Sequence, residues 1–282
     1  MPTETITDEI LSAAGFRWRT QDGVTILFCA PMEDAGFASA FSTRSGGVSP
    51  LPQAALNLAG FNDDAAENIL ENRRRFLHVI GGEWTLATCW QVHGIEVRRV
   101  DDSLEVAKEN HRCDALMTAT PGILLGVKTA DCVPVLLADE RVGAVAAVHA
   151  GWRGTLKRIV ARAFWSLRQT YGTRAQDLRV SIGPAARACC YEVGPDVLAA
   201  FRQEFSEIEH LLTPTRPDFA RIDLQRANAE QLMAEGVLPE KIHIAPLCTM
   251  CRTDLFFSYR REKAIHGRVG RSMAVIGRRK DR

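Results

Sequence analysis

Apolar residues along this chain fall mostly into short runs rather than long amphipathic periods. Residues 25–30 and 36–42 predict strands, and 86–92 and 95–100 predict two more, broken at His93-Gly94. The middle is densest, with apolar runs at 115–118, 123–128, 133–138 and 142–149 separated by turn residues. Runs of that length without alternation suit strands covered on both faces. Further strands are expected at 178–182, 242–245, 255–259 and 272–276. Helical spacing is found over 63–79, where Ile69, Leu70, Phe76 and Leu77 recur and Asp63 or Asp64 can cap. It recurs over 155–171, 195–205 and 224–235. The order does not follow simple βαβ alternation. The pattern therefore predicts an α/β, single-domain layered sandwich of mixed β-sheets covered by helices. One unit is expected to span residues 1–282, with 1–24 a poorly defined N-terminal segment.

Composition narrows the function. Of 282 residues, 46% are hydrophobic and 24% charged, which is ordinary globular usage and excludes a disordered or collagenous chain. Lys and Arg number 35 against 34 Asp and Glu, a net charge of +1. That balance argues against dedicated nucleic-acid binding and against a polybasic membrane anchor. The N-terminal Met1-Pro-Thr-Glu-Thr-Ile-Thr-Asp-Glu lacks the basic start and apolar run of a signal peptide, and no apolar run is long enough to span a bilayer. A reducing, cytoplasmic setting is expected, in which the eight cysteines are thiols serving as core residues, ligands or catalysts.

Three residues stand at the ends of apolar runs, where a rigid scaffold can aim side chains into one cleft. They are His93 in Gln91-Val-His-Gly, Cys132 in Ala130-Asp-Cys-Val-Pro, and His149 in His149-Ala-Gly-Trp-Arg-Gly. Two imidazoles and a thiolate suit Zn²⁺, and three protein ligands leave a fourth position open, the mark of a catalytic site. Asp131 is a candidate to orient one ligand. The spacing matches no local zinc motif, so the residues by themselves also fit three partly buried groups with satisfied hydrogen bonds. Cys248-Thr-Met-Cys251 has knuckle spacing, but no second cysteine pair lies at the usual distance and no pair of histidines follows, so it reads as structural. Cys189 and Cys190 are adjacent and, if extended, point apart, which makes them poor joint ligands.

Together the three motifs resemble the YfiH/laccase-domain family, labelled polyphenol oxidase or multicopper-type laccase in older usage. Thr43-Arg-Ser-Gly-Gly-Val-Ser, Leu56-Asn-Leu, Ile182-Gly-Pro, Cys190-Tyr-Glu-Val, Cys248-Thr and Phe256-Phe-Ser-Tyr-Arg-Arg are similar to further family motifs, in the same order. The chain departs from the usual pattern at Ala185, Ala55 and Ile265-His-Gly-Arg, none of which is a proposed ligand. The resemblance implies a fold related to the cytotoxic necrotising factor catalytic domain. It also implies zinc on His93, Cys132 and His149, which are then the catalytic residues. The implied substrates are purine nucleosides and phosphate: phosphorolysis of adenosine, guanosine, inosine and methylthioadenosine, with adenosine deamination.

Phosphorolysis needs an anion site. Thr43-Arg44-Ser45-Gly46-Gly47 offers a guanidinium, hydroxyls and glycine backbone that can turn N–H groups onto phosphate. The same segment also reads as a glycine turn with a solvated Arg44. Arg153 near His149 is a second candidate, and the resemblance places Arg260 at the cleft beside substrate. Trp152 can stack on a purine or pack against the core. Two other functions compete with this one. A hydrolase that removes serine from a muramic-acid nucleotide, as a peptidoglycan-precursor editor, needs the same metal. A copper laccase needs a trinuclear cluster, whereas the chain has seven histidines and no His-x-His.

Overall fold

In the computed structural model, residues 6–51, 55–60, 64–102 and 111–280 are described. Fifteen strands among them form three sheets. The first sheet holds β1 (Phe16–Gln21), β2 (Val24–Cys29), β3 (Phe37–Ser42), β15 (Ser272–Arg278), β7 (Ile123–Thr129) and β4 (Thr85–Ala87), in that spatial order. The second runs β14 (Ile242–Ile244), β10 (Leu178–Ile182), β8 (Val133–Asp139), β9 (Val145–Ala150), β6 (Ala115–Thr118) and β5 (Val97–Arg99). β11 (Glu192–Val193), β13 (Phe219–Ile222) and β12 (Leu212–Arg216) form a small third sheet. Both large sheets are mixed: β4–β7, β10–β14 and β5–β6 pair parallel, and the other neighbours antiparallel.

The continuous apolar runs have a simple cause. Leu116, Leu136, Ala138, Val145 and Ala147 of the second sheet pack against Phe41, Leu125, Val127, Ala274 and Ile276 of the first. The opposite face of the second sheet, with Val133, Val135, Leu137 and Val148, is covered by Phe164, Leu167 and Leu232 of two helices, α5 (Ile159–Tyr171) and α7 (Leu224–Ala234). The outer face of the first sheet meets Phe76, Val79 and Ile80 of α3 (Ala66–Ile80). Alternate residues of β8 therefore serve two different cores, and its one charged residue, Asp139, stands at its end, where it accepts the N–H groups of Arg141 and Val142. Each fully buried Leu or Phe contributes about 1.5–3 kcal/mol relative to exposure. The predicted layered sandwich of mixed sheets under helices is the fold observed.

Several elements differ from the pattern-based reading. The N-terminal segment forms α1 (Asp8–Ala13) and β1, joined to β2 at Asp22-Gly23, whose φ angles are 50° and 78°. α2 (Ala30–Asp34) then leads into β3. Of the two residues offered as caps for α3, Asp63 lies outside the described residues; Asp64 accepts the N–H of Ala65 and a side-chain bond from Asn68. The helix expected over 155–171 is two helices, α4 (Trp152–Leu156) and α5, broken at Arg158 with φ 58°. Thr155 explains the break: its carbonyl is shared by the N–H of Arg158 and by Gln231 Nε2, while Asn228 holds its hydroxyl. α6 (Pro195–Glu204) matches its expected span closely. The strand expected over 255–259 does not form. Phe256 and Phe257 are both buried although adjacent, and Ser258 caps α8 (Tyr259–His266) by accepting the Arg261 N–H.

Candidate metal centre

The second sheet positions the site. β8 and β9 are antiparallel neighbours with Val133 opposite Ala150 and Pro134 opposite His149. That register puts Cys132, just before β8, beside the end of β9 that carries His149. His93 arrives on the loop between β4 and β5 with a left-handed φ of 58°. Asp114, immediately before β6, holds that loop. Its carboxylate accepts the N–H groups of Val92, His93 and Gly94 at 3.1, 2.9 and 2.7 Å. The same carboxylate lies 2.9 Å from Nδ1 of His149. One fully buried acid thus fixes two of the three predicted ligands.

The donor atoms of His93, Cys132 and His149 all lie within 4.8 Å of one another. His93 Nε2 is 4.0 Å from the Cys132 sulfur, and the two imidazoles meet edge to face at 4.9 Å between centroids. Burial is graded, with His149 buried, Cys132 half-buried and His93 exposed, so the cluster opens to solvent on one side. Gly151 makes this closeness possible: a Cβ there would stand 3.1 Å from the Cys132 sulfur and 3.1 Å from His93 Cδ2.

The charges of these groups are coupled. Burial opposes charge on Cys132, but the imidazoles of His149 and His93 outweigh it and hold the thiol down at about 6. Burial likewise opposes charge on His149, and the Cys132 thiolate and Asp114 carboxylate overcome it, pushing the imidazole up to about 9. The Asp114 carboxyl lies below its ordinary value: burial raises it, and His149 with the loop N–H groups more than offsets that.

The Asp131 carboxylate bonds Thr249, Ser258 and Arg260, whereas the contact with a candidate ligand is made by Asp114 on His149. With φ 87°, Asp131 is a strained turn residue that ties loops together. Its carboxylate accepts Thr249 Oγ1 at 2.7 Å, Ser258 Oγ at 3.0 Å and the Arg260 N–H at 2.7 Å, and its carbonyl accepts the Ala186 N–H. Tyr191 adds a phenol close enough to feel the charges of Cys132 and Asp131. It is nearly buried beneath the Arg260 guanidinium, 5.0 Å from its ring centroid. Burial pushes its phenol up, with the charges of Cys132 and Asp131 adding.

The predicted anion residues are placed differently. Arg44 Nη1 donates to Thr253 O at 2.7 Å and pairs with Glu262 Oε1 at 2.9 Å, and the guanidinium covers the Phe257 ring. Arg44 lines a cavity of about 260 Å³ with Glu262, His266 and Arg268, and another of about 650 Å³ with Arg261 and Met250. The glycines beside it serve close approach: a Cβ on Gly46 would meet Gly23 O at 2.4 Å, and one on Gly47 would meet Ala55 O at 2.1 Å. Arg153 is exposed, 4.2 Å over the Trp152 ring. Arg260 is exposed at the start of α8, its Nη1 on Glu192 O at 3.1 Å. Among the described residues no helix is long and apolar enough to cross a membrane.

A mixed α/β sandwich that brings two imidazoles and a thiol together from two strand ends and a loop defines a class of candidate metal-dependent enzymes. The model of the family described as multi-copper polyphenol oxidoreductase laccase matches residues 38–279, and the chain belongs to that family. It is 34% identical over 268 residues to the purine nucleoside phosphorylase YlmD of Geobacillus stearothermophilus, covering 90% of this chain and 95% of that one. A purine nucleoside phosphorylase of Deinococcus radiodurans is 38% identical over 239 residues, 84% of this chain and 88% of its own. The crystal structure of the G. stearothermophilus YlmD superposes with a TM-score of 0.85 at 32% identity, over 94% of this chain and 99% of that one. The YfiH protein of Bacillus licheniformis gives 0.84 at 27% identity, over 93% and 98%.

Proposed function

We propose that this protein is a zinc-dependent purine nucleoside phosphorylase acting on adenosine, guanosine, inosine and methylthioadenosine, and that it also deaminates adenosine. The observation that carries the reading is the convergence of His93, Cys132 and His149 within 4.8 Å in a chain whose relatives are named purine nucleoside phosphorylases. The donor set fits zinc: two imidazoles, one thiolate and an open side. A multicopper centre draws on many more imidazoles, and among the described residues only His93 and His149 join such a group.

When bound, zinc supplies Lewis acidity at the reacting atoms. The chain's own residues do the rest. Asp114 accepts the Nδ1 proton of His149 and fixes the ring, so that Nε2 would hold the ion once the ion displaces its proton. Cys132 contributes the negative charge, as a thiolate at neutral pH. Arg153 and Arg260 are assigned to substrate, because both are exposed beside the loops that carry the ligands. Arg44 is assigned to phosphate, with His266 and Arg268 adding basic character to its cavity. In phosphorolysis a phosphate oxygen bonds to C1′, the C1′–N9 bond breaks, and the purine leaves with that electron pair and takes a proton. In deamination water adds at C6 and ammonia leaves, with no phosphate involved.

Incubating the protein with inosine, with and without phosphate, tests the reading. Equal amounts of hypoxanthine and ribose 1-phosphate, formed only with phosphate, are expected. Free ribose in place of ribose 1-phosphate would contradict it. So would inert nucleosides together with serine release from a muramic-acid nucleotide, which would establish the editing hydrolase instead.

A further inference from the structure

Four cysteines that the sequence separates come together away from His93, Cys132 and His149. Cys189 and Cys190 sit in a tight turn where the N–H groups of Cys190 and Tyr191 both reach Arg187 O. Cys248 and Cys251 sit in a second turn, closed by the Arg252 N–H on Cys248 O. The turns are stitched by a bridge between Ala185 and Cys248 and by the Thr249 N–H on Ala185 O. In an extended chain Cys189 and Cys190 would be poor joint ligands, and in sequence Cys248 and Cys251 have no second pair at the usual spacing. The turn conformation removes the first obstacle and the folding of the chain the second. All four sulfurs lie within 4.8 Å of one another, with Cys190 and Cys189 at 3.2 and 3.6 Å from Cys251.

We propose that Cys189, Cys190, Cys248 and Cys251 form a second, structural metal site that holds one Zn²⁺ as a tetrathiolate. Four sulfurs at ~2.3 Å from one tetrahedral ion stand about 3.8 Å apart, and the sulfurs here, 3.2 and 3.6 Å apart in two pairs and all within 4.8 Å, bracket that spacing. The tetrathiolate carries a net double negative charge, and cations surround it. Arg221 Nη1 donates to Cys189 O at 2.8 Å, Arg187 Nη1 to Pro246 O at 3.0 Å, and Arg261 Nε to Met250 O at 3.3 Å. Cys248 is buried and Cys189 exposed, so the ion has a path in. With four protein ligands no position remains for substrate, which makes the site structural.

The site also bears on the first cluster. Thr249, between Cys248 and Cys251, bonds the Asp131 carboxylate, and Ala186, beside the other turn, bonds the Asp131 carbonyl. Asp131 in turn precedes Cys132. An ion that clamps the two turns therefore steadies the backbone on which Cys132 stands. This coupling rests on the proposed metal at Cys132; occupancy of the four-cysteine site does not.

The test is metal content of full-length protein purified without chelator, with cobalt(II) spectra after exchange. Wild type and Cys132→Ala should both hold metal on the four cysteines, and the cobalt form of Cys132→Ala should show the intense thiolate charge-transfer band of tetrathiolate coordination. The double variant Cys189→Ser/Cys251→Ser should lose that ion and that band. Cys251→His guards against simple misfolding: it should keep the ion and weaken the charge-transfer band, as one thiolate is replaced. Full metal content and an unchanged band in the double variant would overturn the proposal. So would a Cys190–Cys251 disulfide, seen by peptide mapping, in Cys132→Ala protein prepared under reducing conditions without bound metal.

Discussion

The two sulfur-bearing clusters are built on opposite plans. His93, Cys132 and His149 come from a loop and two strand ends, and a buried acid, Asp114, holds the loop and one imidazole together. The four cysteines come from two tight turns, each closed by backbone hydrogen bonds rather than by a carboxylate. The first set has three donors and an exposed side, the second four donors. Open coordination suits chemistry and closed coordination suits stability, so donor count and support separate the two without appeal to activity.

Substitutions can break that contrast. Cys132→Ala should have the largest effect: metal at the first cluster is lost and inosine phosphorolysis falls by more than the ~100-fold that outer partners are worth, while the four-cysteine ion stays. Metal analysis beside product assay checks it, and retention of the first ion would remove Cys132 from the ligand set. Asp114→Asn follows. It keeps an acceptor for the loop but removes the charge beside His149, so metal affinity or activity should fall by about 10–100-fold. An equal change in the binding of both ions would instead mean general loosening of the fold.

Arg44 sharpens the assignment of phosphate. Arg44→Lys keeps a charge for Glu262 yet loses the planar fork, so phosphorolysis should drop on the order of tenfold, mainly as a weaker response to phosphate. Adenosine deamination should be nearly unchanged. Parallel loss of both reactions would assign Arg44 to the fold through Glu262 and Phe257. The smallest effect is expected from pH. In metal-free protein, alkylation of Cys132 should rise with pH and level off above about 6, because the neighbouring imidazoles favour its thiolate. An ordinary thiol would still be accelerating well above neutrality, and peptide mapping isolates Cys132 from the other cysteines.

What could be read in the sequence depended on whether the cause was local. Apolar runs buried between two sheets declare themselves, since β7, β8 and β9 have no solvent face on which polar residues could alternate. The β1–β2 hairpin was equally local, and its Asp22-Gly23 turn is a strong signal that the reading left unused. The break before α5 was not legible, because Gln231 and Asn228 on a distant helix compete for Thr155. The same holds at the site. The three proposed ligands stand out at run ends, whereas Asp114 offers only the weaker sign of a lone acid abutting an apolar run. The four cysteines form a set only once the turns of Cys189 and Cys248 are brought side by side.

The central claim is that His93, Cys132 and His149 hold the zinc on which phosphorolysis depends. Chelator-stripped protein titrated with zinc, with hypoxanthine release from inosine followed at fixed phosphate, tests it most directly. Activity should return in proportion to occupancy of the first cluster and stay absent in Cys132→Ala at every zinc concentration. Full phosphorolysis by the stripped protein, or zinc-restored activity in Cys132→Ala, would contradict the account.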